Sequence, residues 1–218
     1  MPPAKPLVRL YCAACVLVVA AQAAAQLSEL GPSEPDPSEP LRFAHDQDEA
    51  AGDLPEAAGP RRYGLEGQRN WVFNGSVAAN GEALDTGFTA SFNEFIVDDI
   101  EYLLELGVWY FNEFESADSG GISGSLGFRW HFINRQKWTA FADIGIGVLF
   151  ATDTVPPEGT GFNFMPRAGV GVTRELYGDT RLIAGVRWHH ISNARINGEA
   201  RNPARDSPLL YVGVVIPF

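Results

Sequence analysis

From about Tyr63 onward the chain alternates apolar residues with small or polar ones at a period of two. Successive side chains of an extended strand point to opposite faces, so this period predicts strands with one apolar and one polar face. The pattern is clearest where Trp138, Ala140, Ala142, Ile144, Ile146, Val148 and Phe150 share one parity, with Thr139, Asp143, Gly145 and Gly147 between them. It recurs in Ile122, Leu126, Phe128, Trp130 and Phe132 against Ser123, Ser125, Arg129 and His131. It recurs again in Phe164, Ala168, Val170 and Val172 against Asn163, Arg167 and Thr173. Turn residues interrupt the alternation at intervals, and the segments fall at about 70–79, 86–97, 102–115, 120–133, 137–151, 161–176, 180–193 and 207–218.

Several of these segments are long for strands of soluble proteins and long enough to cross a membrane at a tilt. Short connections, Asn134-Arg135-Gln136 and Tyr177-Gly178-Asp179, contrast with longer loops over 153–160 and 194–206. Before the terminal Phe218, Leu210, Val212, Val214 and Ile216 occupy every second position. Together these features predict an all-β fold over residues 63–218, an eight-stranded antiparallel transmembrane β-barrel with its short turns on the periplasmic side. The competing architecture is a soluble eight-stranded barrel whose apolar face turns inward around a ligand. Arg129, Asp143, Arg167 and Arg187 sit on the parity opposite to the apolar series, which favours a charged lumen inside a lipid-facing wall. Eight strands enclose only enough space for their own side chains, so a general pore is not expected and any activity belongs to loops, rim or outer wall.

The part before the barrel has a different composition. Lys5 and Arg9 precede an apolar run over Leu10–Ala21, and Ala23, Ala24 and Ala25 follow, as in a secretory signal peptide spanning residues 1–25. A membrane anchor is the alternative, but the run is shorter than the ~20 residues a spanning helix needs. Cys12 and Cys15 both fall in this leader, so the mature chain would carry no thiol for a disulfide or a zinc site. Residues 26–62 are rich in Pro, Glu, Asp, Ala and Gly and read as a disordered acidic linker, unable to bury enough apolar surface to order itself. A net charge of −11 argues against nucleic acid as a partner.

The candidate chemistry lies in the seventh segment. Leu182, Ala184, Val186, Trp188, His190 and Ser192 form one face, and Ile183, Gly185, Arg187 and His189 the other. His190 and Ser192 therefore share the lipid-facing side near the outer end, with Cα atoms about 6.8 Å apart. At that spacing an imidazole reaches a serine hydroxyl, which is a weak nucleophile until a base takes its proton. Ionisable groups turned toward hydrocarbon are costly and point to function; the plainer reading puts both in the headgroup zone, where they cost little. His189 faces the opposite way from His190, so the pair makes a poor metal clamp, and His189 and His131 read as lumenal hydrogen-bonding residues. Gly145, Gly147, Gly169 and Gly171 read as points of close backbone contact, and Trp71, Trp130, Trp138 and Trp188 as interfacial anchors. Neither a metal nor a cofactor is called for.

His190-Ile191-Ser192-Asn193-Ala194, followed by Asn202-Pro203 and a last strand, resembles the lipid A 3-O-deacylase (PagL-type) family of outer-membrane enzymes. The resemblance covers roughly 63–218 and is sharpest from Arg187 onward. It implies an esterase that removes the acyl chain at position 3 of lipid A through a Ser-His-acid triad in the bacterial outer membrane. Carried over, Ser192 is the nucleophile, His190 the general base, and Asn193 helps to hold the oxyanion. The family pattern has glutamate shortly after an Asn-Pro-Gly turn; this chain has Asn202-Pro203-Ala204-Arg205-Asp206, which makes Asp206 the expected acid and Glu199 the alternative. Arg195, Arg201 and Arg205 are the expected partners of the lipid A phosphates. The competing function is a non-enzymatic small barrel for adhesion or envelope integrity, and homodimerisation stays open.

Overall fold

A computed structural model describes residues 62–135 and 137–218. The expected leader (1–25) and nearly all of the expected linker (26–62) lie outside the described residues. The strands are β1 (Arg69–Ala79), β2 (Ala83–Val97), β3 (Ile100–Glu113), β4 (Ser119–Asn134), β5 (Trp138–Ala151), β6 (Phe162–Phe164), β7 (Arg167–Tyr177), β8 (Thr180–Ile191) and β9 (Arg205–Pro217). Each pairs antiparallel with its neighbour in the order β4-β3-β2-β1-β9-β8-β7-β5, and pairing of β4 with β5 closes the ring. The barrel thus has eight staves, as the alternation predicted.

One stave is divided. The expected strand over 161–176 appears as β6 and β7, separated by Met165 and Pro166. The register passes through the break without a slip: Phe164 faces Val148 and Arg167 faces Gly145 on the β5 side. On the β8 side the same residues face Ser192 and His189. Pro166 has no N–H to give to the ladder, so one rung is missing there, while Met165 exchanges backbone hydrogen bonds with Gly147 and the Pro166 carbonyl accepts from His190 N–H at 3.3 Å.

The faces settle which way the barrel is turned. Leu104, Leu106, Val108, Ile122, Leu126, Ile144, Ile146, Val170 and Leu210 are among the large apolar side chains exposed on the outside. Inside are buried charges, Glu101, Glu105, Arg129, Asp143, Arg167, Arg187 and Arg205. This is the inverse of a soluble ligand-binding barrel and the arrangement a lipid-facing wall requires.

The lumenal charges are paired across the bore. Arg129 Nη1 donates to Glu101 Oε1 at 2.7 Å, Arg187 grips Asp143 at 2.9 and 3.1 Å, and Arg167 pairs with Glu105. His131 joins through Thr139 at 2.8 Å and Glu101 at 3.3 Å. An apolar cluster that includes Phe95, Phe111, Phe141, Leu149 and Ile183 fills the space around them. The strand glycines serve this packing: a Cβ at Gly171 would collide with Phe141 Cζ and lie 2.6 Å from the Ala184 carbonyl.

Removing one partner of a buried pair leaves an uncompensated charge, at a cost of about 3–5 kcal/mol. Asp143→Ala strips Arg187 of its closest carboxylate, so the folded barrel should lose stability of that order in urea titrations followed by heat-modifiable gel mobility. A midpoint equal to that of the unmutated protein would show that the network does not hold the wall.

Candidate active site

β8 carries the candidate residues because its two parities serve two environments. Arg187 and His189 point into the lumen, where His189 lies flat against Trp109 with ring centroids 5.2 Å apart. His189 therefore packs by stacking, and its Nε2 has no hydrogen-bond partner among the described residues, contrary to the hydrogen-bonding role expected for it. Trp188 and His190 point outward. The strand ends at Ile191, but a bridge between Ser192 and Phe164 carries the ladder one step further, with Ser192 N–H donating to the Phe164 carbonyl at 3.1 Å. Ser192 is therefore held as rigidly as a strand residue although it begins a loop.

On this outer wall three side chains form a hydrogen-bonded line. His190 Nε2 lies 2.9 Å from Ser192 Oγ, and His190 Nδ1 lies 2.9 Å from Asp206 Oδ1. Asp206 is the register partner of His190 across β8 and β9, which is why a carboxylate one methylene shorter than glutamate still reaches the ring. With the carboxylate accepting at Nδ1, the ring proton belongs there, and Nε2 is free to accept from the serine. Glu199 sits in a 3₁₀ turn, Glu199–Arg201, strongly exposed and 3.6 Å from Arg195, so it does not approach the histidine.

Asn193 is buried and its donors are committed. Its Nδ2 donates to Thr160 Oγ1 at 3.0 Å and to the Arg201 carbonyl at 2.6 Å, while its Oδ1 accepts from Arg195 N–H at 2.9 Å. Its own N–H donates to Asn202 Oδ1 at 2.9 Å. Asn193, expected to help hold an oxyanion, ties the 192–204 loop to the 152–161 loop through its side chain. Beyond it the backbone turns through positive φ at Ala194 and Arg195.

The three expected cations separate. Arg195 and Arg201 are exposed on the loop beside the line of three. Arg205, the first residue of β9, points inward: it is buried, with Nη1 2.8 Å from Asp85 and Nη2 2.6 Å from Glu113. The expectation that Arg205 meets a lipid phosphate is corrected by strand parity, because Asp206 faces out and its neighbour must face in. Three contributions escaped sequence reasoning. Trp188 Nε1 donates to Asp206 Oδ1 at 2.7 Å, Thr160 anchors Asn193 from another loop, and Asn202 caps the Asn193 N–H. Trp188 left a trace in its shared parity with His190 and Asn202 in the Asn202-Pro203 pair, whereas nothing in the sequence marked Thr160.

A closed barrel with a charged bore, an apolar outer wall and a polar constellation on that wall defines a small protein of the bacterial outer membrane. A family profile described as lipid A 3-O-deacylase (PagL) matches residues 66–215. The chain belongs to that family of outer-membrane hydrolases, which argues against the non-enzymatic alternative. Among solved structures, that of the outer membrane enzyme PagL is 23% identical, with a TM-score of 0.55, and the match covers 67% of this chain and 99% of that one. The N-terminal β-barrel domain of Pseudomonas aeruginosa OprF is 15% identical with a TM-score of 0.51, covering 70% and 98%. These two are likenesses of fold. No curated protein sequence matches the chain.

Asn193→Ala would remove the hydrogen bonds to the Arg201 carbonyl, Thr160 Oγ1 and Arg195 N–H, each worth about 0.5–1.5 kcal/mol. The 192–204 loop should then exchange amide hydrogens and be cleaved by protease faster than in the parent protein, with the barrel strands unaffected. Unaltered protection of that loop would mean Asn193 does not brace it.

Proposed function

We propose that this protein hydrolyses the ester that attaches the acyl chain at position 3 of lipid A, with Ser192 as nucleophile, His190 as general base and Asp206 as the acid that orients it. The observation behind the assignment is the unbroken hydrogen-bonded line from Ser192 Oγ through His190 to Asp206 on the lipid-facing wall. Its position suits a substrate that never leaves the membrane, since an acyl chain anchored in the outer leaflet meets Ser192 by lateral approach.

In this scheme Ser192 Oγ attacks the ester carbonyl carbon while His190 Nε2 takes the hydroxyl proton. The carbonyl oxygen becomes an oxyanion, which Asn193 helps to hold by bracing the turn that follows the serine. Collapse breaks the bond to the sugar oxygen, and the imidazolium returns its proton to that oxygen, freeing the 3-hydroxyl. Water, deprotonated by His190, then attacks the acyl carbon; the bond to Ser192 Oγ breaks, His190 returns the proton to that oxygen, and a fatty acid leaves. Asp206 stays ionised, holding the proton on Nδ1 and offsetting the charge of the imidazolium. Arg195 and Arg201 offer guanidinium groups to the phosphates of the headgroup, and Arg205 is withdrawn from this role by its lumenal ion pairs.

Mass spectrometry of lipid A from cells making the protein should show loss of one 3-linked acyl chain. Ser192→Ala should lower the rate on the order of 10⁴-fold or more, and unchanged deacylation by that variant would refute the nucleophile. Replacing Arg195 and Arg201 together by Gln should raise KM for lipid A about tenfold and leave kcat nearly unchanged, as expected for loss of uniform binding. An equal KM would remove both arginines from substrate recognition.

A further inference from the structure

Asp206 is the exposed member of the hydrogen-bonded line. Its side chain is 57% exposed against 20% for His190. Burial therefore does not fix the carboxylate, and an ion pair at such exposure holds little by itself. An aspartate also has alternative staggered χ1 wells, not all of which turn the carboxylate toward the ring. Something else must select the rotamer.

Two donors converge on one oxygen. Trp188 Nε1 donates to Asp206 Oδ1 at 2.7 Å, and His190 Nδ1 lies 2.9 Å from the same atom. Trp188 precedes His190 by two residues on the outward face, and its register partner is Pro208, two residues beyond Asp206. Asp206 is thus the diagonal neighbour of Trp188, a separation that long aromatic side chains span. The indole also lies along the imidazole, ring centroids 5.4 Å apart at 35°. One side chain therefore touches both the acid and the base.

We infer that Trp188 is a positioning residue: its indole N–H holds the Asp206 carboxylate in the rotamer facing His190 Nδ1 and thereby keeps Nε2 turned to Ser192. The inference rests on the roles proposed above for these three residues. A tryptophan that only anchors the barrel at the interface would also satisfy its N–H with a nearby acceptor. Such an anchor would not act through Asp206, and that difference is measurable.

The full chain in detergent, assayed on lipid A mixed micelles, is compared as Trp188→Phe, Asp206→Ala and the double variant. Phenylalanine keeps an aromatic ring in the interface and removes the donor; heat-modifiable gel mobility confirms folding. Loss of a hydrogen bond to a charged group predicts a fall in kcat of about tenfold or more, with KM within about twofold. On the Asp206→Ala background the same substitution should change kcat by less than about twofold, because its target is gone. Independent losses that multiply, an unaltered kcat in Trp188→Phe, or a change confined to KM would each overturn the inference.

A second readout does not depend on hydrolysis. ¹⁵N shifts of His190 should report a proton held on Nδ1 in the parent protein and a mixture of tautomers in Trp188→Phe; the same tautomer in both would overturn the inference. Activity that survives Ser192→Ala would instead strike the proposed nucleophile, while the tautomer comparison still decides the role of Trp188.

Discussion

Inside hydrocarbon every backbone N–H and C=O must find its partner within the protein, and a sheet achieves this only by closing on itself. The pairing of β4 with β5 is that closure, and the rest of the structure follows from it. Once the wall is shut, each residue is either inside or outside, with no edge to escape to. Polar side chains sent inward meet a bore too narrow for bulk water, so they pair with one another: Arg129 with Glu101, Arg187 with Asp143, Arg205 with Asp85 and Glu113. The large side chains sent outward are mostly aliphatic or aromatic.

Charge on the outward parity is held to the rims. Arg69, Glu94 and Arg174 lie at one end of the wall, and His190 and Asp206 lie at the other, at the outer end of β8. The rim is also where the barrel lends its stiffness to the loops. Ser192 is bridged to Phe164, Asn193 is tied to Thr160, and Asn163 in turn holds the carbonyls of Val155 and Thr160. The loops on either side of the serine are thereby joined to each other and to the sheet. A site held by neighbours whose own positions are fixed needs little rearrangement to meet its substrate.

Much of this was written in the period of the sequence. Alternation at every second residue gave the staves, the charged parity gave the lumen, and the i, i+2 spacing put His190 beside Ser192, because strand geometry is a property of consecutive residues. Strand ends were legible only to within a few residues, since β2 begins at Ala83 and not near 86. Pro166 was invisible as a break because its side chain keeps the outward parity while only its missing N–H matters. Arg205 was assigned by loop membership, when two further residues of strand turned it inward.

The chain by itself therefore determined the barrel, its inside and outside, and the serine–histidine pair, all of which depend on local periodicity. Only the tertiary structure decided which acid meets His190, where the donors of Asn193 are spent, that Arg205 belongs to the lumen, and that Trp188 shares the Asp206 carboxylate. Those contacts join residues from different strands and loops. Their pairing is fixed by the register between β8 and β9 and by the packing of two loops against each other, and no local period encodes either.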